Sequence, residues 1–97
     1  MALDPNAVPC VAPGCESSTL SGEMVLLDPT GHVLRGLNAT GSRVWELLDG
    51  QRSVSGVIDA VTTEVGAPRD AFERDVTAFL EQLLDLQLIT FVARGDR

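Results

Sequence analysis

Residues 36–50, GLNATGSRVWELLDG, read as the end of a strand, a turn and a capped amphipathic helix. An oxygen-bearing cap, Asn38 or Thr40, precedes a run in which Val44, Leu47 and Leu48 share one face and Trp45 borders it. Gly50 stands where a left-handed C-cap belongs, and Arg43 rather than an acid follows Thr40 by three, so no full capping box forms. The spacing predicts a first helix over about 40–49.

Upstream, TLSGEMVLLDPTGHVLRGLN (19–38) carries a glycine-containing break at Ser21-Gly22, the apolar run Met24-Val25-Leu26-Leu27, and the tetrapeptide Asp28-Pro29-Thr30-Gly31. Pro at the second turn position and Gly at the fourth suit a type I turn between antiparallel strands, which predicts a hairpin of residues 23–27 and 32–37. Before it, residues 1–16 hold Pro5, Pro9, Pro13 and Gly14 without periodicity. They are expected to form a flexible segment with a short strand around Val8 to Ala12.

Downstream, Ser53 caps a second helix in which Val54, Val57, Ile58, Val61 and Val65 recur at threes and fours, and Gly66 ends it with Pro68 just beyond. Its β-branched residues lower helix propensity, so packing must hold it together. The third helix, from about 69 to 86, has the stripe Phe72, Val76, Phe79, Leu80 and Leu83, read as core, with Asp70 and Glu73 in the first turn where the dipole favours negative charge. Leu88, Ile89, Phe91 and Val92 then make a short extended tail able to close the core. Strands, three helices and a short strand outline a small winged helix-turn-helix body.

Ninety-seven residues support one modest core and one domain. The composition is 44% hydrophobic and 22% charged, as in soluble globular domains, and no apolar run approaches the length of a membrane span. MALDPNAVPC lacks the basic start and apolar core of a signal peptide, so a cytoplasmic location is expected. There Cys10 and Cys15 are expected as free thiols. Together with His32 they supply at most three of the four ligands zinc needs.

The net charge is −7, and all seven basic residues are arginines. The third helix sets Arg69 and Arg74 against Asp70, Glu73, Asp75, Glu81 and Asp85, a net of −3. A winged-helix DNA-binding regulator needs the opposite sign on its recognition helix, so nucleic acid is a poor partner. Nor does a catalytic set emerge. His32 sits beside a turn glycine, no cysteine has a local histidine, no serine sits in a nucleophile elbow, and Gly36 to Gly41 lacks the lysine of a phosphate loop. A binding module without a cofactor is expected, not an enzyme.

A small domain with a free sheet edge can bind an extended peptide as an added strand. The candidate edge is HVLRGLN (32–38), where Arg35 and Gly36 blunt unwanted pairing while leaving room for a partner backbone. The same edge can also stay without a partner or pair with a second copy as a homodimerisation module.

Three segments, LLDPTG (26–31), GLNATGSRVWELLDG (36–50) and DVTAFLEQLLDLQLI (75–89), keep an order and spacing that resemble the PqqD family over about residues 17–92. The resemblance implies an α+β winged helix-turn-helix domain, an N-terminal three-stranded antiparallel sheet packed on a three-helix bundle, spanning 17–93 and followed by a tail at 94–97. It also implies a recognition element for ribosomally made, post-translationally modified peptides. Such an element holds a precursor's leader as a strand beside the sheet's third strand and against the third helix. It presents the core peptide to a modifying enzyme, often a radical SAM protein, elsewhere of peptidase or cyclase type. In pyrroloquinoline quinone synthesis that role is peptide chaperone.

Carried over, the strand wall would be Val33, Leu34, Arg35, Gly36 and Leu37, and the helix wall Asp75, Phe79, Gln82 and Leu86. Asn38 would be a turn and cap residue and Trp45 a packing anchor. Two features depart from the pattern: VPCVAPGCESSTLSGE (8–23) lacks the alternation of two clean opening strands, and Arg35 matches no family position. A monomer or a swapped homodimer is compatible with this reading.

Overall fold

A two-residue reversal at Ser21 and Gly22, both with positive φ (54° and 84°), joins β2 (Glu16–Leu20) to β3 (Glu23–Leu27). Two left-handed residues give the tight turn whose twist matches paired strands, and Leu20 lies opposite Glu23 across it. The computed structural model describes residues 3–92 of the chain, so the tail expected at 94–97 lies outside the described residues. β3 continues through Asp28–His32 into β4 (Val33–Leu37), giving an antiparallel sheet of order β2-β3-β4.

The Asp28 carboxylate organises that second turn. It accepts from the backbone N–H of Thr30 and of His32, both at 2.9 Å, and from the Thr30 hydroxyl at 2.6 Å. Gly31 N–H donates to the Asp28 carbonyl at 2.9 Å, closing the expected four-residue turn. Between the pairs Leu26–Arg35 and Leu27–Val33, Leu34 has no opposite number, so β4 carries a bulge there.

Three helices follow: α1 (Ala39–Glu46), α2 (Val54–Val65) and α3 (Arg69–Asp85). Asn38, not Thr40, caps α1, its Oδ1 accepting from Gly41 N–H at 2.7 Å. α1 ends at Glu46, earlier than expected. Gly50 does have a positive φ (76°), but it lies in a bend past the helix, because Leu47 and Leu48 turn inward to be buried. α2 matches its sequence signals, with Ser53 accepting from Gly56 N–H at 3.0 Å and Gly66 closing the C-terminus at φ 71°.

The segment expected to be a flexible lead-in with a short strand around Val8 to Ala12 holds β1 (Pro9–Val11), which pairs antiparallel with β5 (Ile89–Phe91). Ala12 N–H donates to the Leu88 carbonyl and Val92 N–H to the Val8 carbonyl, while Val54 N–H and Ser55 N–H donate to the carbonyls of Ala7 and Pro5. Backbone polar groups satisfied in this way tie the early residues to the body. Cys10 and Cys15 are both free thiols. Cys15 is buried with its Sγ 3.7 Å from the Gln87 carbonyl, and loss of water, with a smaller push from Asp28, raises its pKa.

The core lies between the helix-facing side of the sheet and the bundle. Leu26 and Leu37 enter from the strands, Val44 and Trp45 from α1, Leu48 from the segment just after it, Val57, Ile58 and Val61 from α2, and Val76, Leu80 and Leu83 from α3. Trp45 is thus a packing anchor. Each such aliphatic burial is worth about 1.5–3 kcal/mol, which outweighs the weak helix propensity of the valines in α2. The expected α+β arrangement, a three-stranded antiparallel sheet with three helices, is what the chain adopts, extended by the β1-β5 ribbon.

Candidate functional site

Among the described residues β4 has β3 on one side only, which leaves its other edge free, and the Phe72–Gln82 flank of α3 faces it. Between them opens a groove of about 620 Å³. Its strand wall is Arg35, Gly36 and Leu37, and its helix wall includes Phe72, Asp75, Phe79 and Gln82. The start of α1, at Thr40 and Gly41, closes one end.

The bulge at Leu34 decides which strand residues face the groove. Arg35 and Leu37 lie opposite Leu26 and Met24, on the helix-facing side, and Leu37 is buried. Val33 and Leu34 instead stay 54% and 36% exposed and do not line the groove. Leu86 also stands apart: it is the C-cap residue of α3, 39% exposed, beyond the helical wall. The structure therefore gathers Arg35, Gly36, Leu37, Asp75, Phe79 and Gln82 into one cleft and leaves Val33, Leu34 and Leu86 at its margin.

The sequence places Phe72 in the core stripe, and Phe79 both in that stripe and in the expected helix wall. In the structure both are only partly buried and line the groove, while Val76, Leu80 and Leu83 take the buried face. The signal was present: 72, 75, 79 and 82 recur at threes and fours, a second stripe flanking the core stripe.

The groove is amphipathic. Arg35 reaches across from β4, its guanidinium carbon 5.2 Å from the Phe79 ring centroid and its Nη1 donating to Gln82 Oε1. Gly36 leaves space: a Cβ built there meets no atom within 4 Å. At Gly41 a Cβ would come within 3.2 Å of Asn38 Oδ1 and 3.5 Å of Phe79 Cζ, so the glycine lets the α1 start approach the phenylalanine. Among the described residues, no three His, Cys, Asp or Glu side chains converge as a metal site would require, and no helix is long and apolar enough to cross a membrane.

Residues 23–89 match the family model of coenzyme PQQ synthesis protein D (PqqD). The chain belongs to the PqqD family. A solved structure of TbiB1 in complex with the TbiA(beta) leader peptide is similar to it, with a TM-score of 0.70 and 31% sequence identity over 91% of this chain and 98% of that one. No curated protein sequence matches it. The PqqD match starts at β3 and ends at the first residue of β5, so β1 and β2 lie outside it, while both walls of the groove lie within.

Proposed function

We propose that this PqqD-family chain is a peptide-binding adaptor. It captures the leader of a ribosomally made precursor as a strand added to the free edge of β4 and packed against α3. It then presents the remainder to a modifying enzyme, of radical SAM or of peptidase or cyclase type, in the cytoplasm. The carrying observation is the groove itself: an unpaired strand edge faces a helix flank that keeps two phenylalanines, Phe72 and Phe79, partly exposed. Edge N–H and C=O groups supply hydrogen bonds and the aromatic wall supplies apolar contact, the two requirements of strand addition. The similarity to TbiB1, solved with a leader peptide, supports the same reading. The chain itself performs no chemistry in this role and requires no cofactor.

Titrating isotope-labelled protein with the leader of the precursor encoded nearest to it, and following amide shifts by NMR, tests the proposal. Shifts confined to residues 33–41 and to the flank of α3 at 72, 75, 79 and 82, with micromolar or tighter affinity, are expected. A folded protein whose amides do not move at saturating leader would refute it.

A further inference from the structure

We infer that Arg35 determines the groove's specificity by taking the carboxylate of an acidic side chain on the added strand. This deepens the strand-addition reading and rests on it.

In a chain with twice as many carboxylates as arginines, Arg43, Arg52 and Arg69 each pair with at least one acid, at 2.7, 2.7 and 2.5 Å. Arg35 does not. Its one side-chain partner is the neutral amide oxygen of Gln82, and its Nε is buried with no hydrogen-bond partner. The groove's own acid, Asp75, stands seven residues before Gln82, about two helical turns or ~10 Å along α3, and makes no ion pair with Arg35. Within the groove the fold thus holds a cation away from carboxylates and beside the Phe79 ring.

A guanidinium placed this way is under-satisfied in the free protein. Any strand laid on β4 withdraws it further from water, and the cost of covering a charge is recovered only by an opposite charge with good hydrogen-bond geometry. A carboxylate can accept from the Nη groups, taking the place of the Gln82 amide on Nη1 and giving the guanidinium the charged partner it lacks. Stacking on Phe79 fixes the plane of that fork, which a lysine cannot reproduce. Peptides without an acid at this register leave a covered, poorly paired cation, so Arg35 rejects them as well as favouring the acidic ones.

The test selects a displayed library of random 12-residue peptides on the full chain and on its Arg35→Glu and Arg35→Gln variants, each checked for folding by circular dichroism. NMR amide shifts then locate the enriched peptides. The native chain should enrich Asp or Glu at one position at fixed spacing from apolar residues, and changing that acid to its amide should weaken binding about tenfold. The acid-to-amide difference should vanish with Arg35→Gln, and Arg35→Glu should enrich Lys or Arg at that position. Unchanged acid enrichment with Arg35→Glu, or groove-binding peptides with no acid preference, would overturn the role of Arg35 and leave strand addition standing. No enrichment on folded protein, or peptides that shift amides away from β4 and α3, would overturn strand addition and this inference with it.

Discussion

Asn38 holds the corner between β4 and α1 with one side-chain oxygen, and its surroundings explain why the residue type matters. The Oδ1 satisfies Gly41 N–H, one of the donors a helix start leaves orphaned. Asn38→Ala should cost about 1 kcal/mol in urea unfolding, whereas Asn38→Asp or Asn38→Ser should recover most of it. A second residue-level contrast separates core from groove on α3. Leu80 is fully buried, so Leu80→Ala should cost about 2–5 kcal/mol. Phe79 is partly buried against the cleft, so Phe79→Ala should cost clearly less than the about 3–5 kcal/mol of a fully buried phenylalanine while abolishing leader binding. Equal destabilisation of the two variants would return Phe79 to the core role that its spacing suggested.

At the level of elements, the free edge of β4 yields a test that separates binding from stability. The space beside Gly36 is open, and a β-branched residue suits a strand better than glycine, so Gly36→Val should keep or raise the melting temperature. Because Gly36 alternates with Arg35 and Leu37, the added side chain points to the sheet's other face, so leader affinity should change by less than about threefold. The β1-β5 ribbon carries the opposite expectation. Removing residues 1–12 deletes β1, buried Pro9 and four backbone hydrogen bonds that bind Val92, Ala12, Val54 and Ser55 to the early chain or to Leu88. At about 1 kcal/mol per bond, this is much of a small domain's stability, and the truncated chain should show no cooperative thermal transition. The sequence reading of residues 1–16 as a flexible segment implies no loss. Here lies the limit of what the sequence shows. α2 was legible because Ser53 and Gly66 punctuate it. β1 was legible as a short strand around Val8 to Ala12, but its pairing was not, because its partner β5 lies at the other end of the chain. The groove was half legible for a related reason: residues 75, 79 and 82 follow helical spacing, but an inserted residue at Leu34 shifts the strand's facing and puts Val33 and Leu34 outside, which no alternation pattern reveals.

For the whole molecule, the acidic balance sets how stability responds to pH. Three carboxylates have pKa values lowered by the fold. Asp28 is held down first by the Thr30 hydroxyl and then by the His32 N–H, Asp49 first by the Gln51 N–H, and Glu64 first by the Arg43 guanidinium. A depressed folded pKa means that the unfolded chain takes up these protons first as pH falls. The stabilisation is therefore complete above the unfolded values, about 4, and is lost as pH drops through the lower folded ones. Against this, a net charge of −7 repels itself at neutral pH, and partial protonation of the surface relieves that repulsion. The stability curve should accordingly stay level or rise slightly from pH 7 to about 5 and decline below about 4, modestly, since all three carboxylates reach solvent. The combined variant Asp28→Asn, Asp49→Asn, Glu64→Gln isolates the first effect from the second. It should be less stable than the native chain at pH 7 in urea unfolding, and the gap should narrow as pH falls below the ordinary carboxylate values and through the lowered folded ones. A gap of constant size across that range would mean that these side chains act by shape and hydrogen bonding alone, with no contribution from their charge.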